Sequence, residues 1–261
     1  MRGAALRSRR AGVGAVVLAA VAALAVIAPS AVAAPRVQEP AVPAPAGWTY
    51  TGGDEFDGPA LDTDRWNAYD SVGAFGNGTR HPSAISQGDG LLTITARPRQ
   101  DGGTSGGMAL GEGQLYGRWE FRARTDPGRG YSSAILLWPD SEKFPEDGEL
   151  DMMEVPSDKR TAATAFVHYG ADNRIVGTSR DGDFTQWHTF AMEWQPDRIT
   201  WFVDGRKAWE TTDRAVIPTT PMHLCIQLDQ GPAVNWMPAP DASTPDEVRL
   251  QVDWARQYRT S

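Results

Sequence analysis

The sequence predicts an all-β fold in which two antiparallel sheets pack as a sandwich. Three observations predict it: short alternating or apolar runs of strand length, turn signals between them, and the lack of a long run with helical periodicity. Short strands at such spacing are typical of a sandwich domain. The chain has 261 residues, and an all-β domain of that size often stays undivided.

The first predicted strands differ in pattern. Residues 90–98 (GLLTITARP) alternate and are rich in β-branched residues, and residues 116–125 (YGRWEFRART) alternate large apolar residues with charged ones. Residues 131–139 (YSSAILLWP) and 161–170 (TAATAFVHYG) are short apolar runs. Alternation indicates a strand with one buried face, and a short apolar run is consistent with a strand buried on both faces.

The second half of the chain continues the series. Residues 187–211 predict three strands, with turns at Gln195-Pro196-Asp197 and Asp204-Gly205. Residues 219–229 (TTPMHLCIQLD) and 247–259 (EVRLQVDWARQYR) predict two late strands.

The first part of the chain is predicted to be a secretory signal. Four arginines within the first ten residues precede an apolar run that ends near Ala31 and Ala33, and this is the pattern of a cleaved signal peptide. We place cleavage after Ala33, so residues 1–33 are the signal; an uncleaved anchor helix is the alternative. Residues 34–46 are a Pro/Ala-rich linker, and residues 47–261 form the functional domain. The mature protein is expected to be secreted, free of the membrane and monomeric.

The charge balance limits the partners of the mature chain. The whole chain has a net charge of −8, and removal of residues 1–33 leaves 21 Lys+Arg against 33 Asp+Glu, a net charge of −12. An acidic protein is a poor candidate for nucleic acids or anionic membranes. A neutral polymer such as a polysaccharide remains a suitable partner. Ten Trp residues suit both a large core and a surface that stacks on sugar rings.

The single cysteine, Cys225, excludes an intrachain disulfide. It lies in an apolar run (MHLCIQL) and is predicted to be a buried core residue.

Three carboxylates stand close together in residues 148–155 (GELDMMEV). In a regular strand Glu149 and Asp151 share one face, whereas Glu154 would enter the core at a large energetic cost. A β-bulge at Met152-Met153 removes this conflict, because both methionines then face the core and Glu154 returns to the acidic face. The spacing therefore predicts a bulged strand with three acids in one line.

Such a line suits glycoside hydrolysis. Glu149 and Glu154 would lie about 13 Å apart at Cα, and their side chains could close to a carboxyl gap of about 5 to 6 Å. That gap is typical of a retaining glycosidase, in which one carboxylate attacks the sugar and the other protonates the leaving oxygen. A solvated acidic edge strand and a calcium cage are the alternatives.

The segment GELDMMEV resembles the Glu-x-Asp-x-x-Glu signature of glycoside hydrolase family 16, in the bulged form found in laminarinases, agarases and carrageenases. Further similar segments follow in the family's order, from DEFDGPALDTDRWN through FVHYG and HTFAMEW to VDWARQY, and extend from about Trp48 to Tyr258. The resemblance implies a concanavalin-like β-jelly-roll sandwich with a concave cleft. It implies a hydrolase that cuts β-linked polysaccharide internally, with β-1,3-glucan as the expected substrate.

The resemblance also implies roles for single residues. Glu149 matches the nucleophile, Glu154 the acid/base and Asp151 the assisting acid. The predicted substrate-binding residues are His168, Trp138, Tyr131, Trp194 and Gln227. Trp119 is as compatible with the core as with the cleft.

Some positions depart from the family pattern. Ser132 and Leu136 stand where laminarinases usually have Trp, and Gln227-Leu228-Asp229 replaces Asn-Leu-Ala. Specificity for β-1,3-glucan is therefore less firmly implied than the reaction. A galactan-active hydrolase, a transglycosylase and a non-catalytic carbohydrate-binding sandwich remain alternatives. Residues 78–87 and 101–114 are predicted to be mobile loops that shape the cleft ends.

The chemistry of this family requires no cofactor. Many of its members bind a structural Ca²⁺ on the convex face, and the matching positions here are Glu55, the carbonyl of Gly90, and Asp253. Oxygen ligands suit Ca²⁺, and an alternative is that Asp253 forms a salt bridge.

Overall fold

Two sheets face each other across the core in the computed structural model, which describes residues 44–98, 103–111, 113–234 and 236–261. The signal 1–33 and most of the linker 34–46 lie outside the described residues. The strands are β1 (Trp48–Asp54), β2 (Trp66–Ala68), β3 (Ser71–Val72), β4 (Thr79–Arg80), β5 (Ile85–Gly88), β6 (Leu91–Ala96), β7 (Thr104–Leu110), β8 (Gly117–Thr125), β9 (Tyr131–Pro139), β10 (Glu149–Val155), β11 (Ala162–Tyr169), β12 (Arg174–Asp181), β13 (His188–Gln195), β14 (Arg198–Val203), β15 (Arg206–Thr211), β16 (Met222–Gln230) and β17 (Val248–Thr260). Two short 3-10 helices span Ala74–Gly76 and Pro82–Ala84.

The two sheets have different roles. One, here the outer sheet, has the order β15-β14-β13-β8-β17-β6-β5 with β1 beside β17. The other, here the cleft sheet, has the order β12-β11-β10-β9-β16-β7-β4-β3 with β2 beside β7. Neighbouring strands are antiparallel except β4 and β7. The predicted all-β sandwich is confirmed, and none of the described helices is long and apolar enough to cross a membrane.

Strand β9 shows why an apolar run marks a central strand. Tyr131, Ile135 and Leu137 face the core between the sheets. Ala134 and Leu136 point to the opposite face of the cleft sheet, and they are also buried. Because both faces are covered, the strand lacks polar alternation and appears in the sequence as a continuous apolar run.

The prediction of a loop over residues 101–114 is wrong for Thr104–Leu110, which form β7 between β16 and β2. The glycines in this segment allow close packing within the sheet. A Cβ atom at Gly106 would come within 2.9 Å of the Ile94 side chain, and one at Gly107 within 2.7 Å of the Tyr69 ring. Residues 78–87 also differ from the predicted loop, because they contain β4, a 3-10 helix and most of β5.

Arg160 ties together the segments around one end of β9 and β10. Its side chain is fully buried, and its guanidinium donates hydrogen bonds of 2.6 to 3.3 Å to five backbone carbonyls. These carbonyls belong to Asp126, Gly128, Tyr131, Val155 and Ser157. Burial lowers the pKa of Arg160 to about 10, so the group stays charged at neutral pH.

We expect Arg160→Lys to lower the free energy of unfolding by about 2 to 4 kcal/mol, because one ammonium cannot replace a planar fork that reaches five carbonyls. Urea unfolding of the mature chain measures this loss. Arg198→Lys on the exposed surface is the matched control and should change the free energy by less than about 0.5 kcal/mol. Equal stability of the two variants would contradict this role for Arg160.

Candidate active site

The predicted bulge in β10 is confirmed. Asp151 pairs with Leu136 of β9, and the next paired residue, Met153, is opposite Ile135, so one residue of β10 is extra. The register with β11 shifts at the same place. Met152 and Met153 both lie in the core. The bulge therefore turns two consecutive apolar side chains inward and leaves the carboxylates on the cleft face.

The cleft sheet forms the floor of a cavity of about 900 Å³. Glu149 and Glu154 line this cavity, and Leu136 and Cys225 form part of its floor between them. Cys225 is buried as predicted, but it faces the cleft and accepts a hydrogen bond from the Tyr69 hydroxyl at 3.2 Å.

Two of the acids lie against one histidine. One oxygen of Glu149, one of Asp151 and one nitrogen of His168 lie within 4.8 Å of one another. Asp151 is only 1 % exposed, and its Oδ2 lies 3.2 Å from Nε2 of His168. Nδ1 of His168 lies 2.8 Å from Oδ1 of Asn173. His168 therefore lies between Asp151 and Asn173, with an oxygen atom near each of its ring nitrogens.

The acid/base candidate has a separate partner. The Thr164 hydroxyl donates to Oε2 of Glu154 at 3.4 Å. Burial, followed by the nearby charge of Asp151, raises the pKa of Glu154 well above its usual value. A carboxyl group with a raised pKa stays protonated near neutral pH and can act as a general acid.

Glu149 and Asp151 titrate together. Burial raises the pKa of both groups, to about 7 for Asp151, and the Asp151 charge raises that of Glu149 further. Because two close buried carboxylates resist simultaneous ionisation, the pair shares a proton up to neutral pH. His168 has the opposite effect and lowers the pKa of Glu149.

The structure brings some predicted substrate-binding residues together. His168, Trp138 and Gln227 line the cavity with the acids. The indole N–H of Trp138 donates to Glu142 at 2.9 Å, and its ring stacks on Phe144 with centroids 5.0 Å apart. This pair forms an apolar wall at one side of the cavity.

The predictions for Tyr131 and Trp194 are corrected. Both side chains are fully buried in the core between the sheets and do not line the cavity. The Tyr131 hydroxyl donates to Gln230 at 2.9 Å, and the Trp194 indole donates to the carbonyl of Pro218 at 3.1 Å. Trp194 stacks on Trp119, so Trp119 is also a core residue. Tyr131 lies on β9, which is buried on both faces, and Trp194 lies on the core side of β13 in the outer sheet. Neither local sequence shows whether the ring reaches the cleft.

The structure adds cavity residues that the sequence analysis did not identify. Phe75 and Trp236 meet with ring centroids 5.6 Å apart at the cavity wall. Arg80 and Asp229 form a salt bridge in the same cavity, with Nη2 and Oδ1 2.6 Å apart. The two residues of each pair are far apart in the chain, 149 positions for Arg80 and Asp229 and 161 for Phe75 and Trp236, so neither pair has a local sequence pattern. The one signal in the sequence for these pairs is Asp229, which stands where the family pattern has Ala.

The residues predicted to bind calcium lie on neighbouring segments of the outer sheet. Strand β17, which carries Asp253, pairs with β6 along its first half and with β1 along its second half, and these two strands adjoin Gly90 and Glu55. Glu55 is paired with Arg256 at 2.7 Å, and Asp253 is paired with Arg122 at 2.6 Å. With both carboxylates held by guanidinium groups, the set as arranged does not fit a divalent cation. We therefore derive no role for calcium, and its binding stays a prediction from the resemblance.

Comparisons with known proteins agree with this geometry. A family model described as glycosyl hydrolases family 16 matches residues 76–256. A β-glucanase of Rhodothermus marinus is 30% identical over 81% of this chain and 85% of its own length. The glucan endo-1,3-β-glucosidase A1 of Niallia circulans is 26% identical over 84% of this chain, and the match spans 39% of that longer protein.

Solved structures show the same architecture. The laminarinase from Rhodothermus marinus is 26% identical and superposes with a TM-score of 0.74, covering 82% of this chain and 98% of that chain. The catalytic domain of an endo-1,3-β-glucanase from Thermotoga petrophila gives a TM-score of 0.73 at 23% identity, covering 82% and 98%. The sandwich is therefore a β-jelly roll of the kind that laminarinases have.

Proposed function

The chain belongs to glycosyl hydrolases family 16, and on this premise we propose that it is a secreted retaining endo-glycosidase that hydrolyses β-1,3-glucan. That the chain is a glycoside hydrolase acting on a β-glycan follows from its family and its relatives. The linkage, the catalytic roles and the export are the proposed parts. The bulged acid line of β10 is the observation that carries the proposal.

The proposed reaction proceeds by double displacement. Glu149 attacks the anomeric carbon while Glu154 protonates the departing glycosidic oxygen, and a glycosyl-enzyme ester forms. Glu154, now ionised, then takes a proton from water, and that water attacks the same carbon and releases Glu149. Two inversions retain the β configuration. The raised pKa of Glu154 supports its first role, because the acid must hold its proton in the resting enzyme.

The nucleophile needs the opposite protonation state. Glu149 must be ionised, although burial raises its pKa. The hydrogen bond between the two carboxyl groups raises the pKa of Glu149 and lowers that of Asp151, which favours the shared proton on Glu149 in the free protein. We propose that this proton passes to Asp151 when substrate binds, and that Asp151 then donates it in a hydrogen bond to Glu149. His168 supports this arrangement from the other side of Asp151, at 3.2 Å. Asp151 and His168 thus act as positioning residues that set the charge of the nucleophile.

The charge of the cavity favours a neutral polymer. Five acidic side chains line it, of which Glu154 is the protonated one, against Arg65 and Arg80, and Arg80 is already paired. The acidic side chains are Asp64, Glu142, Glu149, Glu154 and Asp229. A sulfated galactan would be repelled by this surface, and a neutral glucan would not. Two relatives that are named glucan endo-1,3-β-glucosidase support the same substrate.

Export is proposed from the sequence alone. The signal pattern of residues 1–33 supports secretion, and a polymer too large to enter a cell is cut outside it.

Reducing-end release from a panel of polysaccharides tests the substrate. We expect the chain 34–261 to cut laminarin most efficiently, mixed-linkage β-glucan less well, and carrageenan not at all, because the cavity is acidic. Size analysis of early products should show internal cuts. Preferred cleavage of agarose or carrageenan would overturn the glucan assignment while leaving the reaction type in place.

A further inference from the structure

Asp229 has an unusual place for a charged residue. It lies on β16, on the face that lines the cavity, and its side chain is only 2 % exposed. The Nε and Nη2 atoms of Arg80 donate to its Oδ1 at 2.8 and 2.6 Å. The backbone N–H of Ala74 also donates to this carboxyl group. A buried carboxylate costs free energy unless it is paired and hydrogen bonded, and here it has both kinds of partner.

Both partners of Asp229 belong to one segment. Ala74 begins the 3-10 helix that carries Phe75, and Arg80 ends β4. Residues 74–80 therefore attach to the cavity floor at their two ends through one carboxylate. The Arg80 guanidinium also lies 5.5 Å from the centre of the Tyr69 ring, which packs over Gly107 of β7.

Residues 74–80 carry the exposed ring of Phe75, and the backbone at Phe75 has an unfavourable conformation that other contacts must stabilise. Phe75 has φ 58° and is 65 % exposed. This left-handed conformation costs about 1 kcal/mol or more for a residue other than Gly. Its ring meets Trp236 at a 58° angle, and Asn77 Nδ2 donates to the carbonyl of Pro232 at 2.9 Å. The two aromatic rings thus come from separate loops and are held together at the cavity wall.

We propose that Asp229 is a positioning residue that fixes, through Arg80 and Ala74, the Phe75–Trp236 pair as a platform for a sugar ring. The segment that carries Phe75 joins β3 and β4, which β9, β16 and β7 separate from the acids on β10. This inference rests on the proposed glucan hydrolysis. The place of the pair suits the departures on β9: Ser132, directly opposite Asp229, has a small side chain and supplies no ring. The platform from the loops then supplies the aromatic contact that β9 lacks, and its geometry depends on a carboxylate that is already engaged by Arg80 and Ala74.

The kinetic test uses Asp229→Asn, Phe75→Ala and the double variant. We expect Asp229→Asn to raise KM for long laminarin-derived chains about tenfold, with kcat within about twofold, because the platform binds substrate away from the reacting bond. Phe75 is exposed, so Phe75→Ala should fold normally and give the same rise. The double variant should be no worse than either single variant, since both remove one platform. Short oligosaccharides that do not reach the platform should be cut at wild-type efficiency.

Two outcomes would overturn the inference. An equal loss on short and long substrates would place the effect of Asp229 at the acids, and additive losses in the double variant would separate Asp229 from Phe75. Arg80→Met should raise KM for long chains. Arg80→Lys, which keeps the positive charge, should raise it less.

Hydrogen exchange provides a readout that does not depend on activity. Amides of residues 74–80 should exchange at least about tenfold faster in Asp229→Asn than in wild type, while those of β10 stay unchanged. Unchanged exchange would contradict the positioning role even if the protein hydrolyses glucan as proposed. Faster exchange in a protein that cuts no glucan would keep the positioning role and reject the substrate.

Discussion

Glu149→Ala is expected to lower kcat on laminarin by at least about 10⁴-fold, because it removes the carboxylate that is proposed to form the glycosyl-enzyme ester. The variant should keep its fold, since the side chain lies at the cavity surface and the bulge is held by Met152 and Met153 in the core. Circular dichroism and laminarin binding at wild-type affinity would check this.

Azide identifies the role of each acid. In Glu149→Ala the space left by the carboxylate admits azide, which should restore turnover of an aryl β-glucoside and give the α-glycosyl azide after a single inversion. The matched variant Glu154→Ala still forms the ester from a substrate with a good leaving group, and azide should then give the β-glycosyl azide. Because the two products differ in anomeric configuration, proton NMR assigns the nucleophile directly. Exchange of the two outcomes would reverse the roles proposed for Glu149 and Glu154.

The acid line could be predicted from sequence because, at Glu154, the alternation of side chains along a strand conflicts with the cost of burying a carboxylate. Strict alternation would bury this glutamate, and the cost of burial is large. One inserted residue resolves the conflict, and the apolar pair Met152-Met153 shows where the insertion is. The same reasoning fails for Tyr131 and Trp194. An aromatic residue is acceptable in the core and in a sugar cleft, so no energetic conflict decides its direction.

The loops could not be predicted for a different reason. Their geometry depends on contacts between segments far apart in the chain, such as Arg80 with Asp229 and Phe75 with Trp236. A cluster of glycines is also compatible with two different structures, a mobile loop and a closely packed strand. Gly106 and Gly107 suggest a mobile loop in the sequence, but in the structure they let neighbouring side chains approach a central strand. Only the tertiary packing distinguishes these cases.

Asp151→Asn is expected to stabilise the protein at neutral pH while it impairs catalysis. Burial raises the pKa of Asp151 from 3.8 to about 7, so the folded state keeps a proton that the unfolded state releases above about pH 4. Stability therefore falls as pH rises from about 4 to 7, and the full penalty remains above pH 7. At 1.36 kcal/mol per pKa unit, and allowing for the proton shared with Glu149, the penalty is on the order of 2 to 4 kcal/mol.

An asparagine at this position keeps the shape and can still donate to Glu149, but it carries no buried charge. At pH 7.5 we expect the Tm of Asp151→Asn to exceed that of wild type by roughly 5 to 10 °C, and at pH 4 the difference should shrink to about zero. Asp57→Asn, an exposed control, should leave Tm unchanged at both values. A lower Tm for Asp151→Asn at pH 7.5 would mean that His168 stabilises an ionised Asp151, and the proton that keeps Glu149 charged would then have to come from elsewhere. If the expected result is found, the carboxyl groups that the bulge places on one face of β10 serve the reaction and at the same time destabilise the folded protein.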